Sequence, residues 1–384
     1  MAESVVKEEN EVHDIKDEIK DEPLKFSKLT DVQKKQIRIM FSTFFIVFAV
    51  LLIYFCTVLF MENFDANARW VNHLKDSPEQ AAKVQELSTN ANEVTVGTYV
   101  ENIRNIDIKG SSYRVDMMVW FDWEGDPDLD PASQFRVYKG SINKSVIMNE
   151  IHEGGKNYQL VGVDVTISND FHTKLYPLES HQLRIYIESN IPVQRLLFKA
   201  DRENSGINKS LALTGFELSR HDIGEVSYSY ASTHGNPRLE GSETTSEIVT
   251  AIEISRSNLG LYFKCFIALF ATLVWILISL FICTYHHVNP LGMVSGALFG
   301  AVGNIVVGTN LLPDATTAGL LEFGNIWGAI MVLGGTIAII SINRVRELRD
   351  KKYAKYYGRF LFTLILCFTI GGMVLLPAFA LIGG

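Results

Sequence analysis

The sequence predicts an all-β sandwich followed by an α-helical transmembrane bundle, with one additional N-terminal transmembrane helix before the sandwich. The 384 residues are 47% hydrophobic, but the long apolar runs occur at one place near the start and at four near the end. The region between these runs is polar, and its apolar residues alternate with polar ones as they do in half-buried strands. These two observations define the fold class.

Five apolar runs are each long enough to cross a hydrocarbon core of about 30 Å. They are Ile39–Met61, Leu259–Thr284, Leu291–Leu312, Phe323–Ile342 and Phe360–Ile382. The first is the additional helix, over residues 39–61, and the other four form a bundle over residues 259–382. A cleavable signal is the alternative for the first run, because Ala66-Asn67-Ala68 resembles a cleavage site. The run is longer than a usual signal core, which favours a retained helix.

Basic residues predict how the chain crosses the membrane. Lys34, Lys35 and Arg38 precede the first run, and seven further Lys and Arg residues lie between Arg344 and Arg359. Such segments stay in the cytoplasm, so the N-terminus is expected inside and the C-terminus outside. Residues 1–38 mix both charge signs with few large apolar side chains, and they are predicted to form a disordered cytoplasmic tail.

The predicted outer domain, residues 62–258, contains no cysteine. Cys56, Cys265, Cys283 and Cys367 all fall within apolar runs, so this domain must fold on its hydrophobic core without disulfides. Ser77 followed by Pro78 and Gln80 predicts the start of a short helix that ends near Leu87. From Val94 onward, alternation that is clearest over residues 183–188 predicts an all-β sandwich.

The chain offers no signature of an enzyme. It has no Gly-rich phosphate loop, no metal-ligand spacing among His and Cys, and no nucleophile elbow. No catalytic residue, cofactor or metal site is therefore expected. Nucleic acid is not expected as a partner either.

The run from Leu291 to Leu312 carries a weakly polar stripe. Steps of three and four residues place six side chains on one helical face: Leu291, Ser295, Leu298, Val302, Ile305 and Thr309. Such a face fits a helix that lines a water-filled path with a hydrophobic constriction. The alternative is a helix buried in the bundle, whose Ser and Thr hydroxyls bond to backbone carbonyls or neighbouring helices.

Several short motifs follow one another along the chain. They are Val96-Gly97-Thr98-Tyr99, Trp120-Phe121-Asp122-Trp123, Leu175-Tyr176-Pro177-Leu178-Glu179, Leu213-Thr214-Gly215-Phe216, Ile254-Ser255-Arg256 and Asn304 to Pro313. In this order they resemble the pentameric ligand-gated ion channels, over about residues 94–382. The resemblance is closest to bacterial members, because the loop at Leu175 carries no cysteines.

The resemblance implies a homopentamer in the plasma membrane, the bacterial inner membrane, surrounded by membrane lipids. It would conduct inorganic ions passively and be gated by protons or a small ligand, with the stripe of six residues facing the pore. Coupling contacts are then expected at Tyr176, Pro177, Glu179, Arg256, Pro313 and Asp314. His286 and His287 would lie at the cytoplasmic mouth of the pore. Tyr228 and Tyr230 would lie near a bound ligand, and the alternative for both tyrosines is packing in the core.

The chain also departs from that family. The family has four spans, so the helix at residues 39–61 is extra, and the stretch from Trp123 to Leu175 is short and lacks the Trp-x-Pro element of the agonist pocket. A ridge of glycines, Gly292, Gly296, Gly300 and Gly303, lies one position round from the stripe. A rival register turns these glycines to the lumen. The competing functions are a non-conducting receptor or scaffold with the same fold, and a transporter.

Overall fold

The computed structural model of the protein describes residues 24, 26–233, 235, 243–311 and 318–382. These residues divide into two compact units. The first takes in the described residues up to Thr57 together with Phe266–Val306 and Glu322–Leu376. The second takes in Val58–Cys265, the described part of Val307–Leu321, and the described residues from Pro377 onward. Residues 1–23 of the predicted tail lie outside the described residues.

Six α-helices are found among the described residues. They are α1 (Asp31–Asn72), α2 (Pro78–Leu87), α3 (Gly260–Tyr285), α4 (Leu291–Leu311), α5 (Leu320–Leu348) and α6 (Lys351–Leu381). Of these, α1, α3, α5 and α6 are long and apolar enough to cross a membrane, as expected of a membrane protein. The third predicted span, Leu291–Leu312, corresponds to α4, whose apolar part within the described residues is the shorter stretch Leu291–Val306.

The extra helix α1 begins earlier than the hydrophobic run predicts. It starts at Asp31, so the predicted tail over residues 1–38 is wrong at its C-terminal end. A capping box explains the difference: the Thr30 hydroxyl accepts a hydrogen bond from the Gln33 N–H at 3.3 Å, and the Gln33 side-chain oxygen accepts one from the Thr30 N–H at 2.9 Å.

Helix α1 also continues past the predicted end at Met61, to Asn72. Neither Pro nor Gly occurs between Met61 and Ser77 to interrupt it. The next helix agrees with the prediction. It spans Pro78–Leu87, and the Ser77 hydroxyl accepts the Gln80 N–H at 3.3 Å.

The region between α2 and α3 forms two sheets. Its strands are β1 (Asn92–Asp107), β2 (Ser112–Glu124), β3 (Phe135–Val137), β4 (Gly140–Glu153), β5 (Lys156–Ser168), β6 (Ser180–Pro192), β7 (Leu196–Ala200), β8 (Gly206–Ile207), β9 (Phe216–Ser229) and β10 (Thr244–Arg256). The first sheet has the order β4-β5-β2-β1-β7, with β8 beside β1, and the second has the order β3-β6-β10-β9.

Both sheets contribute to one hydrophobic core. Phe121 and Trp123 from β2 and Phe198 from β7 lie in it with residues of β6 and β10. The alternation predicted over residues 183–188 is confirmed at Leu183, Ile185 and Ile187, which are fully buried. Glu188 breaks the pattern, because it is buried as well. A carboxylate buried in a strand requires partners, which the site below supplies.

Residues 70–80, which we call the N-terminal segment, run along β9, the edge strand of the second sheet. The Arg220 guanidinium lies 4.2 Å from the centre of the Trp70 ring. Gly224 allows the backbone of Leu74 to approach, because a Cβ at Gly224 would stand 2.1 Å from the Leu74 oxygen. Asp76 accepts hydrogen bonds from the Ser227 N–H at 2.9 Å and the Ser227 hydroxyl at 2.6 Å. The segment thereby covers an edge that would otherwise be open.

The opposite situation holds at β4, the edge strand of the first sheet. Every residue of β4 after Gly140 is exposed. Five of these exposed side chains are apolar: Ile142, Val146, Ile147, Met148 and Ile151. An exposed apolar edge strand is typical of a surface that another chain covers.

Candidate functional site

The predicted stripe lies on the exposed side of α4. Leu291, Ser295, Leu298, Val302 and Ile305 are all exposed within the single chain, with Leu298 exposed by 50%. The Ser295 hydroxyl donates to the backbone oxygen of Gly292 at 2.9 Å. The side chain of Thr309 lies outside the described residues. The stripe is thus a continuous apolar surface with one hydroxyl at its start.

The other side of α4 is packed within its own unit. Ala297, Ala301 and Asn304 are buried there. The Asn304 side-chain amide donates to the Asn325 side-chain oxygen of α5 at 2.7 Å, which ties the two helices together. Trp275 of α3 donates its ring N–H to the backbone oxygen of Met293 at 2.9 Å. These contacts fix which face of α4 stays exposed.

The glycine ridge is divided between these two sides. A Cβ at Gly300 would stand 2.1 Å from the Thr272 hydroxyl oxygen of α3, and one at Gly296 would stand 3.5 Å from the Trp275 ring nitrogen. Gly292 and Gly303 have no such neighbour within 4 Å among the described atoms. Gly296 and Gly300 therefore pack against α3 in the single chain, which favours the register with Leu298 on the open face.

The turn between α3 and α4 carries the two predicted mouth histidines. Both His286 and His287 are exposed. Partial burial and the nearby cations, Arg346 first among them, lower the pKa of His287. His287 is therefore neutral at neutral pH and gains charge only at lower pH than an ordinary histidine would.

The structure brings Arg256 and Glu179 together. The Arg256 Nε and Nη2 donate to the same Glu179 oxygen at 3.0 and 2.8 Å. The Arg256 guanidinium also lies 4.1 Å from the centre of the Phe216 ring and 5.8 Å from that of Tyr176. Glu179 is only 1% exposed, so this guanidinium is the cation that compensates its buried charge.

The loop before Tyr176 is bonded to the start of α5. The Leu320 N–H donates to the Lys174 backbone oxygen at 2.7 Å. Gly319 is required there, because a Cβ at that position would stand 2.1 Å from the same oxygen. Pro313 and Asp314, the predicted partners of this loop, lie outside the described residues.

Two contacts of α1, one with this loop and one with α6, could not be foreseen from the sequence motifs. The Lys174 ammonium donates to the Glu62 carboxylate at 2.6 Å. The Asn63 side chain donates to the backbone oxygen of Ala380, near the end of α6, at 3.1 Å. The absence of a helix breaker after Met61 was the one available signal for them. The extra helix is therefore attached to the same loop that holds Leu320.

The predicted ligand tyrosines have different surroundings. Tyr228 is exposed, and its ring centre lies 5.5 Å from that of Tyr138. The Tyr230 hydroxyl accepts a hydrogen bond from Arg136 at 2.6 Å and donates one to Glu188 at 2.7 Å. Tyr230 therefore belongs to a polar network around the buried Glu188.

Two adjacent carboxylates dominate that network. Glu188 accepts both Nε and Nη2 of Arg136 at 2.8 Å and the Thr245 hydroxyl at 2.8 Å. Glu247 faces Glu188 across the β6–β10 pair and is only 3% exposed. Burial, with Glu188 and Asp76 nearby, raises the pKa of Glu247 to about 8. The pair could not be predicted from the sequence, because Glu188 and Glu247 each lie within a strand and no motif distinguishes them from solvent-exposed strand residues.

Comparison with known proteins assigns the chain to no family. The chain matches no protein-family profile and no curated protein sequence. The geometry described above and the order of the sequence motifs are therefore the grounds for a function.

We expect Arg256→Met to destabilise the protein strongly, because it leaves Glu179 buried without its cation. Breaking a buried pair in this way costs about 3–5 kcal/mol. Thermal unfolding of the full chain in detergent measures the effect. Arg104→Met is the matched control, since Arg104 pairs with Asp116 at the surface and such pairs contribute at most about 1 kcal/mol. Adding Glu179→Gln to Arg256→Met should restore part of the loss. Equal effects of the two single Arg variants would contradict this assignment.

We expect Glu247→Gln to change how stability depends on pH. A carboxyl group whose pKa rises from 4.5 to about 8 on folding stabilises the fold fully below about pH 4.5, and this contribution is lost as pH rises to about 8. The variant should match the wild type near pH 5 and exceed it well above pH 8 by up to about 5 kcal/mol, because the pKa rises by about 3.5 units and each unit corresponds to about 1.4 kcal/mol. Unfolding across pH measures this difference, with exposed Glu93→Gln as control. A difference independent of pH would refute it.

Proposed function

We propose that the chain is the pore-forming subunit of a pentameric ion channel that is gated by protons or a small ligand and conducts ions passively across the plasma membrane. The observation that carries the proposal is the two-sided character of α4. One side is held by α3 and α5, while the stripe from Leu291 to Ile305 is exposed in the part of the chain that the structure describes. A stripe with this exposure and polarity suits the wall of a pore.

Five copies around an axis would turn the stripe into rings. Leu298, Val302 and Ile305 would then form stacked hydrophobic rings that exclude water when the pore is narrow, and Ser295 would add a wettable ring beside them. The same residues facing lipid would need no hydroxyl such as that of Ser295 among them. The order of the sequence motifs, which resembles that of pentameric channels, supports the same arrangement.

Assembly requires a second surface, which β4 can supply. Its exposed apolar side chains lie along an edge strand whose backbone groups on one side have no ladder partner among the described strands. Contact of this edge with a different surface of the next copy would be heterologous, and such contacts close into rings when the rotation permits. A homo-oligomer would therefore cover both α4 and β4.

Gating would use the loop that contains Lys174 and Tyr176. Its hydrogen bond to Leu320 joins the β-sheet region to the start of α5, and α5 is bonded to α4 through Asn325 and Asn304. A stimulus can shift the gate only by binding the open state better than the closed one. In the proposed channel, that difference reaches α4 through this chain of contacts.

Electrical recording from the purified protein in a lipid bilayer, over a series of outer pH values, tests the proposal. Leu298→Ser should hold water at the constriction and give leak current or opening at a weaker stimulus. Leu333→Ser is the matched control: Leu333 is 58% exposed on α5, away from the stripe, so the same substitution should leave currents unchanged.

The outcomes separate the alternatives. Equal currents from both variants would show that Leu298 does not line the path. Absence of current from wild type and Leu298→Ser alike, with normal expression, would favour a non-conducting receptor or scaffold.

A further inference from the structure

A cavity of about 550 Å³ lies between the N-terminal segment and the outward face of the second sheet. Arg184, Tyr186 and Glu247 line it from the sheet, while His73 and Asp76 line it from the segment. All of these residues belong to one chain and to one compact unit. The volume is in the range of small-molecule sites, which are usually concave and carry a few convergent polar groups.

Glu247 marks one end of this cavity. One of its carboxylate oxygens is fully buried and has no hydrogen-bond partner among the described residues. Among the described residues, the guanidinium that acts on Glu247 is that of Arg136, which is already bonded through two nitrogens to Glu188. Leaving a buried carboxylate oxygen unbonded is costly, so this end of the cavity suits a donor that carries positive charge.

Arg184 marks the other end. Its side chain is partly buried and donates to the Gln182 side-chain oxygen, and no carboxylate among the described residues forms an ion pair with it. The two histidines of the cavity cannot compensate it, because an imidazole is neutral or positively charged. Burial and the Arg184 charge lower the pKa of His73 to about 4, and burial, with Arg69 and Arg184 nearby, lowers that of His172. This end of the cavity therefore suits an anion.

Glu247 and Arg184 do not pair with each other in the described structure. Glu247 is paired in register with Glu188, whereas Arg184 lies four positions earlier on β6, opposite Ala251. Four residues of a strand span about 13 Å, with Tyr186 between the two ends. One wall of one cavity thus presents, in sequence, a carboxyl group with an unbonded oxygen, an aromatic ring and a guanidinium without a carboxylate partner among the described residues.

We propose that this cavity binds a small zwitterion, with its ammonium group at Glu247 and its carboxylate at Arg184. The methylene groups between the two charges would lie against the Tyr186 ring. A ligand with a single charge leaves one end uncompensated and binds more weakly. The site is built within one chain and stands whether or not the chain conducts ions, because binding is measured without current.

The test compares three probes of equal length on the full chain in nanodiscs: 5-aminopentanoate, pentylamine and pentanoate. Titration calorimetry should show that 5-aminopentanoate binds at least about tenfold more tightly than either singly charged probe, a difference of about 1.4 kcal/mol. Equal affinity for all three, or binding of none, would overturn the proposal.

Two variants then test which residue binds the ammonium group and which binds the carboxylate. In Glu247→Gln, 5-aminopentanoate should bind no better than pentanoate, and in Arg184→Gln no better than pentylamine. Glu217→Gln and Arg195→Gln, which change exposed residues outside the cavity, should keep the wild-type preference. A zwitterion preference that survives both cavity variants would place the site elsewhere. The comparison of probes on the wild type decides the proposal even if a cavity variant does not fold.

Discussion

The exposed stripe of α4 is the constraint on which the account depends. A helix held on one side by Asn304, Gly300 and the Trp275 ring cannot rotate to bury Leu298 and Val302 without breaking those contacts. Tight packing against α3 and α5 therefore forces the stripe outward. The same chain exposes a row of apolar side chains on β4. In the proposed homo-oligomer, copies of the chain would cover both surfaces.

Buried charge organises the β-sheet region in a comparable way. Glu179 has Arg256 and Glu188 has Arg136, so each carboxylate is compensated by a guanidinium of its own. Glu247 has none among the described residues, although it is as deeply buried. At that end of the sheet, three carboxyl groups, those of Glu188, Glu247 and Asp76, lie near one guanidinium, that of Arg136. The network of charged side chains there is therefore incomplete. An incomplete network in a cavity is typical of a site that a ligand completes.

The features that could be predicted from the sequence are those with local causes. The length of the apolar runs predicted the membrane-spanning helices, and the alternation of apolar and polar residues predicted β6. The pattern from Ser77 to Gln80 predicted the start of α2. Features with distant causes were missed. Helix α1 continues past Met61, where contacts with Lys174 and Ala380 hold it, and these partners lie far along the chain. Glu247 is buried because the N-terminal segment covers a sheet face that the alternation alone would leave to solvent.

The number of chains in the native assembly tests the central claim most directly. Native mass measurement in mild detergent and in nanodiscs should give a particle of five identical subunits, the number that the resemblance implies, because a closed ring would cover both the α4 stripe and the β4 edge. A monomer or dimer as the only species in both environments would contradict the account, since the stripe would then face lipid and could not enclose a path.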